Sequence, residues 1–441
     1  MFKSKFFILI ILWVFIVGES MASSLPKYYS KKLENGLEIV VIPMRNNSQV
    51  ITTDVFYRVG SRNEVMGKSG IAHMLEHMHF KSTKNLKAGD FDKIVTSKGG
   101  VNNAATSFDY THYYIKSSSS NLDTSLELFA ELMENLSLND EEFQTERAVV
   151  AEERRLRTDN PPVGYLYFRL FNTHFTAHPY HWTPIGFMND ILSWDIEDIK
   201  SFHAKYYQPN NAMLIVSGDI EPEVVFSGAK KYFEHIKNSV KIDDTNISKE
   251  PPRDGNIRQI IYKENNKADT IAIAYTIPNY EHVDQVALSM ITELLSSGKS
   301  SILSRNIIDK KQLANQIYGY NIDLKDDGIF VFFGVANDGV KAEQLEKALK
   351  KEIENLKNGK ITKQEIEKVK INAKSDFIYS LQSSASINSL YGSYLIRGNI
   401  EPLEKYEANL DKITPQIISS VAKKYFDDRY STTIILRRND K

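Results

Sequence analysis

The segment His73-x-x-Glu76-His77 has the residue types and spacing best suited to metal chemistry in this chain. At 100° per residue along an α-helix, the two histidines lie one turn apart on one face, and Glu76 borders that face. Two imidazoles can therefore share one ion with a carboxylate beside them. The intervening residues are apolar, so the helix should be buried and its titratable groups need a partner. A metal ion would be that partner.

The alternative for this segment is a pair of hydrogen-bonded core histidines. A lone histidine would favour that alternative, but His-x-x-Glu-His arises by chance in only about one in a hundred chains of this length. We therefore interpret the segment as a metal site. His79 points away from the shared face, which indicates packing or a surface position. Four other histidines have no spacing that connects them to the segment: His112, His174, His178 and His181.

Two further acids are predicted to lie on one side of a helix that spans residues 140–157. Glu146 and Glu153 are two helical turns apart, so both fall on the same apolar face. An acid on an apolar face is unusual and favours a role directed at the metal. The alternative is that these acids belong to a solvated run of charges that includes Glu152 and Arg155.

Composition bounds the class of protein. The chain has 441 residues, of which 42% are hydrophobic and 25% charged, which is typical of a globular protein with two or three domains. The net charge of −1 gives no bulk attraction to nucleic acid or to an anionic membrane. Because there is no cysteine, disulfides, thiol ligands and lipoprotein acylation are excluded, and stability must come from the core.

The N-terminus has the pattern of a signal peptide over residues 1–22. Lys3 and Lys5 precede an apolar run at 6–18, and a small-x-small cleavage signal ends at Ala22. The apolar run is shorter than the roughly 20 residues that span a bilayer as a helix. We therefore expect cleavage after Ala22 and export to the periplasm of a bacterium, without stable membrane insertion. A retained anchor is the alternative.

The remaining pattern predicts strands and helices in both halves of the chain. Asn35-Gly36 predicts a hairpin turn before the strand at 37–42. Further strands are predicted at 50–59, 102–116, 212–217, 258–263, 270–277, 318–324 and 329–335. Helices are predicted at 123–136, 284–297, 340–356 and 362–381. The polar segment 238–256, which contains Pro251-Pro252, is the predicted inter-domain linker.

The second half of the chain repeats the first in outline. Lys205-Tyr206-Tyr207 aligns with Lys424-Tyr425-Phe426, and 213–216 aligns with 432–435 at the same offset. A constant offset across a gap favours duplication. We therefore predict an α+β fold with two similar domains, 29–237 and 257–441, each a mainly antiparallel sheet covered by helices.

Together the motifs resemble the pitrilysin/insulinase family of inverted zincins, close to its short bacterial branch, which is similar to mitochondrial processing peptidase subunits. The likeness is specific over residues 33–219 and looser beyond them. It depends on His73-x-x-Glu76-His77, Gly60-Ser61-Arg62, Gly99-Gly100-x-x-Asn103-Ala104-x-Thr106, Glu146-Arg147-x-Val149-Val150-x-Glu152-Glu153, His178-Pro179-Tyr180 and Pro209-Asn210-x-Ala212.

The resemblance implies a third ligand, Glu153, which would hold one Zn²⁺ with His73 and His77, and a supporting acid, Glu146. Two histidines and one acid leave the fourth zinc position open for water, as in a catalytic site. Glu76 is then placed to act as the general base.

The resemblance also implies that the two domains face each other across a chamber for extended peptides. Substrate would add as a strand to the edge formed by four consecutive residues: Asn103, Ala104, Ala105 and Thr106.

One departure from the family pattern concerns an Arg and a Tyr that self-sufficient members carry in the second half to hold the substrate backbone and the oxyanion. Ile308 and Asn315 stand at those places here. Arg305, Tyr318 and Tyr320 are nearby, but their register is wrong.

The missing pair predicts a zinc endopeptidase subunit that forms a heterodimer with a homologous chain supplying Arg and Tyr, in preference to a homodimer. One alternative is a non-catalytic peptide-binding or scaffold subunit that keeps the metal. The other is a structural zinc domain, which requires a fourth protein ligand that the sequence does not offer.

Overall fold

A computed structural model describes residues 24–242, 247–264 and 266–438 of the chain. The predicted signal peptide, residues 1–22, lies outside the described residues. Within them, no helix combines the length and the apolar character needed to cross a membrane.

The first half builds a six-stranded sheet among the described residues, with the strand order β1-β2-β6-β3-β5-β4. The predicted Asn35-Gly36 turn joins β1 to β2, which pair antiparallel, and Gly36 has φ +92°. Only β2 and β6 run parallel in this sheet. The strands are β1 Tyr29–Lys32, β2 Glu38–Pro43, β3 Val50–Tyr57, β4 Val101–Thr106, β5 Thr111–Ser118 and β6 Ala212–Gly218.

The described residues of the first half also form eight α-helices. They are α1 Ile71–Met78, α2 Asp90–Ser97, α3 Leu122–Asn135, α4 Asp140–Arg154, α5 Pro162–His174, α6 Met188–Ser193, α7 Ile196–Tyr206 and α8 Pro222–Phe233. All of them except α5 cover the outer face of this sheet and enclose a large apolar core with it. The predicted helix 140–157 is α-helical only to Arg154, and a π-helical turn, Arg155–Asp159, follows it. Pro161 and Pro162 follow that turn, and Pro162 is the first residue of α5.

The second half builds a five-stranded sheet with the order β7-β11-β8-β10-β9. Its strands are β7 Ile257–Lys263, β8 Thr270–Ile277, β9 Ala314–Ile322, β10 Gly328–Ala336 and β11 Thr432–Arg438. Its helices are α9 Asp284–Ser296, α10 Ala342–Lys357, α11 Lys363–Ser380, α12 Ser384–Arg397, α13 Glu401–Glu404, α14 Tyr406–Asp411 and α15 Pro415–Tyr425.

The two sheets share one topology. The order β2-β6-β3-β5-β4 corresponds strand by strand to β7-β11-β8-β10-β9, and each series starts with a single parallel pair. The aligned tyrosines Tyr206 and Tyr425 end equivalent helices, α7 and α15. The prediction of an α+β fold with two similar, mainly antiparallel sheets is confirmed.

The predicted strand 102–116 is a hairpin instead. Strands β4 and β5 pair antiparallel, and the N–H of Ser107 donates to the carbonyl of Tyr110 across the turn at 2.8 Å. The run of Thr, Tyr and Phe residues continues through the turn, so composition alone gave no signal for it.

Each half of the chain also supplies a helix that packs on the sheet of the other half. Helix α5 packs on the inner face of the second sheet, where Phe171 joins a cluster with Val331. Helix α12 packs on the inner face of the first sheet. A Cβ on Gly392 of α12 would lie 2.3 Å from the ring of Phe56, so the helix approaches as closely as only glycine allows.

The two domains also meet where the turns of their edge hairpins come together. The N–H of Lys325, in the β9–β10 turn, donates to Asp109, in the β4–β5 turn, at 2.8 Å. Asp326 accepts from Arg62 at 2.5 Å and lies 3.0 Å from Nε2 of His178. This junction joins the β4–β5 hairpin of the first domain to the β9–β10 hairpin of the second.

The polar segment predicted as a linker lies against the end of α5. The carboxylate of Glu250 accepts from the backbone N–H groups of Thr176, Ala177 and His178. Arg253 donates to the carbonyl of His174. The described part of the segment is therefore held by hydrogen bonds to the first domain.

Candidate metal centre

Helix α1 is held at its start by a buried carboxylate that sequence analysis missed. Glu64 accepts from the N–H groups of Gly70 and Ala72, and from Nε1 of Trp182, each at 2.8 Å. These bonds satisfy donors that a helix N-terminus leaves free. Burial raises the pKa of Glu64 to about 8, although these three bonds oppose the rise. An acid shortly before the helix was the only signal in the sequence.

The structure brings three potential ligands together from α1 and α4. Nε2 of His73 and Nε2 of His77 lie 3.7 Å and 3.3 Å from Oε2 of Glu153. Donor atoms of the three residues lie within 4.8 Å of one another. Their side chains are 13%, 20% and 16% exposed, so the cluster is sheltered yet reachable from solvent. Two imidazoles and one carboxylate form a donor set that suits Zn²⁺.

Glu146 fixes the orientation of one of these imidazoles. Its Oε1 lies 2.8 Å from Nδ1 of His77, and its Oε2 lies 2.6 Å from Nζ of Lys81. When Nδ1 carries the hydrogen that Glu146 accepts, Nε2 of His77 keeps its lone pair for an ion. The geometry therefore fits the supporting position expected for Glu146.

The electrostatics of the cluster favour a bound cation. Burial and the neighbouring His77 lower the pKa of His73 to about 4. Burial also opposes protonation of His77, but Glu146 and Glu153 outweigh it and raise that pKa to about 9. A hydrogen bond to His77 keeps the pKa of Glu153 below its usual value. In the absence of a metal, a proton on His77 supplies the positive charge that the acids require.

Glu76 lies beside the cluster and is bonded to the sheet. Its Oε2 accepts from Oγ1 of Thr106 at 2.6 Å. Burial raises the pKa of Glu76 against the opposing effect of the Thr106 bond. Helix α1 thus connects the potential ligands to the end of β4.

Strand β4 forms one edge of the first sheet. Its residues alternate between exposed and half-buried, and Val101 is 61% exposed. Asn103 and Ala105 belong to the exposed set, while Ala104 and Thr106 belong to the half-buried set. A strand with one free edge can accept another strand.

Most of the other histidines have structural contacts. His79 is buried and its Nδ1 lies 2.7 Å from the carbonyl of Leu75, in agreement with a packing role. His174 lies between Thr276 and Thr432 of the second domain. His181 contacts Asn172 and the carbonyl of Phe175. His112 differs from these residues because it pairs with Asp54 and also lines a cavity on the inner face of the sheet.

The positions of the missing pair have no equivalent chemistry in this structure. Ile308 is half-buried against the core of the second domain, and Asn315 is an exposed residue of β9. Arg305 pairs with Glu365 at 3.1 Å. Tyr318 and Tyr320 pack against Phe333, which belongs to the interface with α5.

Two family models cover most of the chain. The model for insulinase, peptidase family M16, matches residues 39–178, and the model for the peptidase M16 inactive domain matches residues 193–373. The chain belongs to peptidase family M16. The family resemblance found in the sequence is therefore confirmed. The boundary between the two models precedes α7 and β6. Strand β6 belongs to the first sheet of this M16 chain.

Relatives of this M16 chain are named as zinc proteases. The zinc protease PqqE of Helicobacter pylori is 51% identical, and the match covers 96% of each chain. The crystal structure of a protease from Helicobacter pylori superposes with a TM-score of 0.92 at 50% identity, over 94% of this chain and all of that one. A probable mitochondrial-processing peptidase subunit beta of Arabidopsis thaliana is 24% identical, over 92% of this chain and 77% of that protein.

Proposed function

We propose that this chain is the metal-bearing subunit of a zinc-dependent endopeptidase that cleaves extended or unfolded peptides. One observation carries the proposal. His73, His77 and Glu153 converge with their donor atoms within 4.8 Å, while the separate carboxylate of Glu76 is bonded to Thr106 at an open sheet edge. A base beside a three-ligand site has a use in hydrolysis and none in a structural zinc site.

The chain's own residues divide the work of hydrolysis. Zn²⁺ held by the cluster would polarise the scissile carbonyl and lower the pKa of a water molecule. Glu76 takes the proton of the attacking water and passes it to the leaving amine. Glu146 holds the ring of His77 in place, and Lys81 in turn holds Glu146.

The proposed substrate site is the edge of β4. An extended peptide adds to this edge through backbone hydrogen bonds. The residues that would bind it are Asn103, Ala104, Ala105 and Thr106. The bond between Thr106 and Glu76 brings the end of this edge next to the proposed base.

The proposed partner is a homologous chain that supplies an Arg and a Tyr. Ile308 has no hydrogen-bond donor for a substrate backbone, and the short amide of Asn315 does not replace the phenol of a tyrosine. A second copy of this chain would bring the same two residues, so a heterodimer is favoured over a homodimer. Because α5 and α12 each cover one face of a sheet, we assign the other wall of the peptide chamber to the partner chain.

Cleavage of a fluorogenic unfolded peptide by the zinc-loaded full chain tests this function, with and without a homologue that lacks His-x-x-Glu-His but carries the Arg and Tyr. We expect cleavage only with both chains and its loss in Glu76→Gln. Cleavage by the chain alone that Glu76→Gln abolishes would disprove the need for a partner. Peptide binding without cleavage in any combination would favour the non-catalytic alternative.

We also propose that the protein acts after export from a bacterial cytoplasm. The support is the basic, apolar and small-residue pattern of residues 1–22. N-terminal sequencing of protein from separated cell fractions should give Ser23 as the first residue in the periplasm. An intact Met1 in the membrane fraction would favour the retained anchor.

A further inference from the structure

A polar groove with a volume of about 610 Å³ lies between the first sheet and α12. Strands β3 and β5 provide one side of this interdomain groove with Asp54, His112 and Tyr114. Helix α12 provides the other side with a stripe of serines at Ser386, Ser389 and Ser393. These serines follow an i, i+3, i+7 spacing and therefore share one face of the helix. No Lys or Arg is among the described residues that line the groove.

The groove contains an oriented carboxylate–imidazole pair that the proposed mechanism does not use. Oδ1 of Asp54 lies 3.1 Å from Nδ1 of His112, and Asp54 is only 2% exposed. The imidazole stacks on Phe56 with ring centroids 4.7 Å apart. When Asp54 accepts the hydrogen of Nδ1, Nε2 of His112 becomes a hydrogen-bond acceptor.

The pair lies on the same face of the sheet as alternate residues of β4. His112 is directly opposite Ala105, and Tyr114 is opposite Asn103. Side chains alternate between the two faces of a strand, so a peptide added to β4 would direct every second side chain toward the groove. The side chain opposite Ala105 would have only a methyl group between it and His112. The backbone of the added peptide would lie two strand spacings, about 10 Å, from the backbone of β5. A long side chain of the peptide and the imidazole of His112 can together span that distance.

We propose that the interdomain groove is a substrate subsite that selects a lysine or arginine side chain on the peptide residue opposite Ala105. Nε2 of His112 accepts an N–H of that side chain, and Asp54 supplies the negative charge behind it. Burial raises the pKa of Asp54, and the hydrogen bond with His112 opposes that rise. An acidic side chain would meet Asp54 without any cation in the groove, and an apolar one would offer no hydrogen-bond donor to Nε2 of His112.

This inference rests on the proposed function, since it needs a peptide on the β4 edge. Binding to the zinc-loaded Glu76→Gln chain in complex with the homologous Arg/Tyr chain, which should not cleave, separates the two. The probes are fluorescein-labelled extended peptides in which one residue is moved along the sequence as lysine, arginine, glutamine or norleucine. Fluorescence anisotropy measures each dissociation constant. We expect lysine or arginine at one position to bind about tenfold more tightly than norleucine or glutamine there.

Substitutions in the Asp54–His112 pair test whether the groove causes the preference for lysine or arginine. His112→Phe keeps a ring that can stack on Phe56 but removes the acceptor, and Asp54→Asn removes the charge. Each should abolish the preference for lysine while changing the affinity for the norleucine peptide less than twofold. The matched control is His235→Ala, since His235 is an exposed histidine that pairs with Glu134 at 3.2 Å in another part of the chain. It should leave the preference intact.

The results distinguish a failure of the proposed subsite from a failure of the proposed endopeptidase function. Peptides that bind with no positional preference, or a preference that survives His112→Phe, overturn the subsite and leave the endopeptidase proposal standing. Glutamine that binds as tightly as lysine overturns the role of charge. If no peptide binds at all, the β4 edge is not the substrate site, and both proposals fail. Thermal unfolding shows whether Asp54→Asn still folds, and His112→Phe remains decisive if it does not.

Discussion

Helices α1 and α9 occupy the same place in two domains of one topology, yet of the two only α1 carries potential metal ligands. Each follows the strand at the centre of its sheet, β3 or β8. Helix α1 places two histidines and a glutamate among apolar residues, whereas α9 buries an almost entirely apolar set. Apolar patterning and strand order therefore build the same scaffold in both domains, while a few polar positions give only α1 the potential to bind an ion.

The largest effect should come from removing a ligand in the first domain. His77→Ala should reduce bound zinc from one per chain to none, because two remaining ligands cannot hold the ion. Zinc content after gel filtration measures it. The matched control, His282→Ala, removes the histidine beside Asp284 at the start of α9 and should leave zinc unchanged. Zinc loss in the control would show that zinc binding is not specific to the ligands of the first domain.

The next largest effect should come from Glu76, the proposed base, whose substitution should affect cleavage but not metal binding. Glu76→Gln should keep one zinc per chain and lower the rate of peptide cleavage by the complete enzyme about 10²- to 10⁴-fold. Stopped cleavage assays and zinc content are measured on the same sample. An equal loss of zinc and activity would mean that Glu76 acts as a ligand.

A smaller effect is expected for the residue that orients His77. Glu146→Gln should weaken zinc binding about 10- to 100-fold, since it removes the charged acceptor of Nδ1–H. Competition with a chelator of known affinity measures the change. Unchanged affinity would assign Glu146 to packing between α1 and α4 alone.

Zinc affinity should also depend on pH in a stated direction. The pKa of His77 is raised to about 9 in the metal-free protein, so His77 must lose a proton to bind zinc at neutral pH. Affinity should therefore rise about tenfold per pH unit up to about pH 9, because one proton is displaced. Since the pKa of His73 is lowered to about 4, that residue adds no further proton in this range. A flat profile between pH 6.5 and 8.5, measured with correction for buffer binding, would contradict the proton on His77.

The smallest effect should come from the junction between the two hairpin turns. Arg62 and Asp326 pair at 2.5 Å, and the Asp326 side chain is 40% exposed. A double-mutant cycle with Arg62→Ala and Asp326→Ala should give a coupling of about 1 kcal/mol in the free energy of unfolding. Urea denaturation measures it. No coupling would show that the Arg62–Asp326 pair does not stabilise the contact between the domains.

The sequence alone determined the potential metal ligands, the candidate base, the α+β class and the duplication. His73, Glu76 and His77 lie on one helix, and Glu146 and Glu153 lie on another, so periodicity placed each set on one face without knowledge of the fold. The family resemblance then joined the two helices. The repeat was visible because Tyr206 and Tyr425 end equivalent helices.

Only the tertiary structure decided how those elements meet. It showed Glu64 holding the start of α1, the hairpin hidden within 102–116, and α12 packed on the sheet of the first half. It also paired Asp54 with His112 beside the serines of α12. These contacts join residues far apart in the chain, and a single sequence records periodicity along an element but not which distant elements pack together.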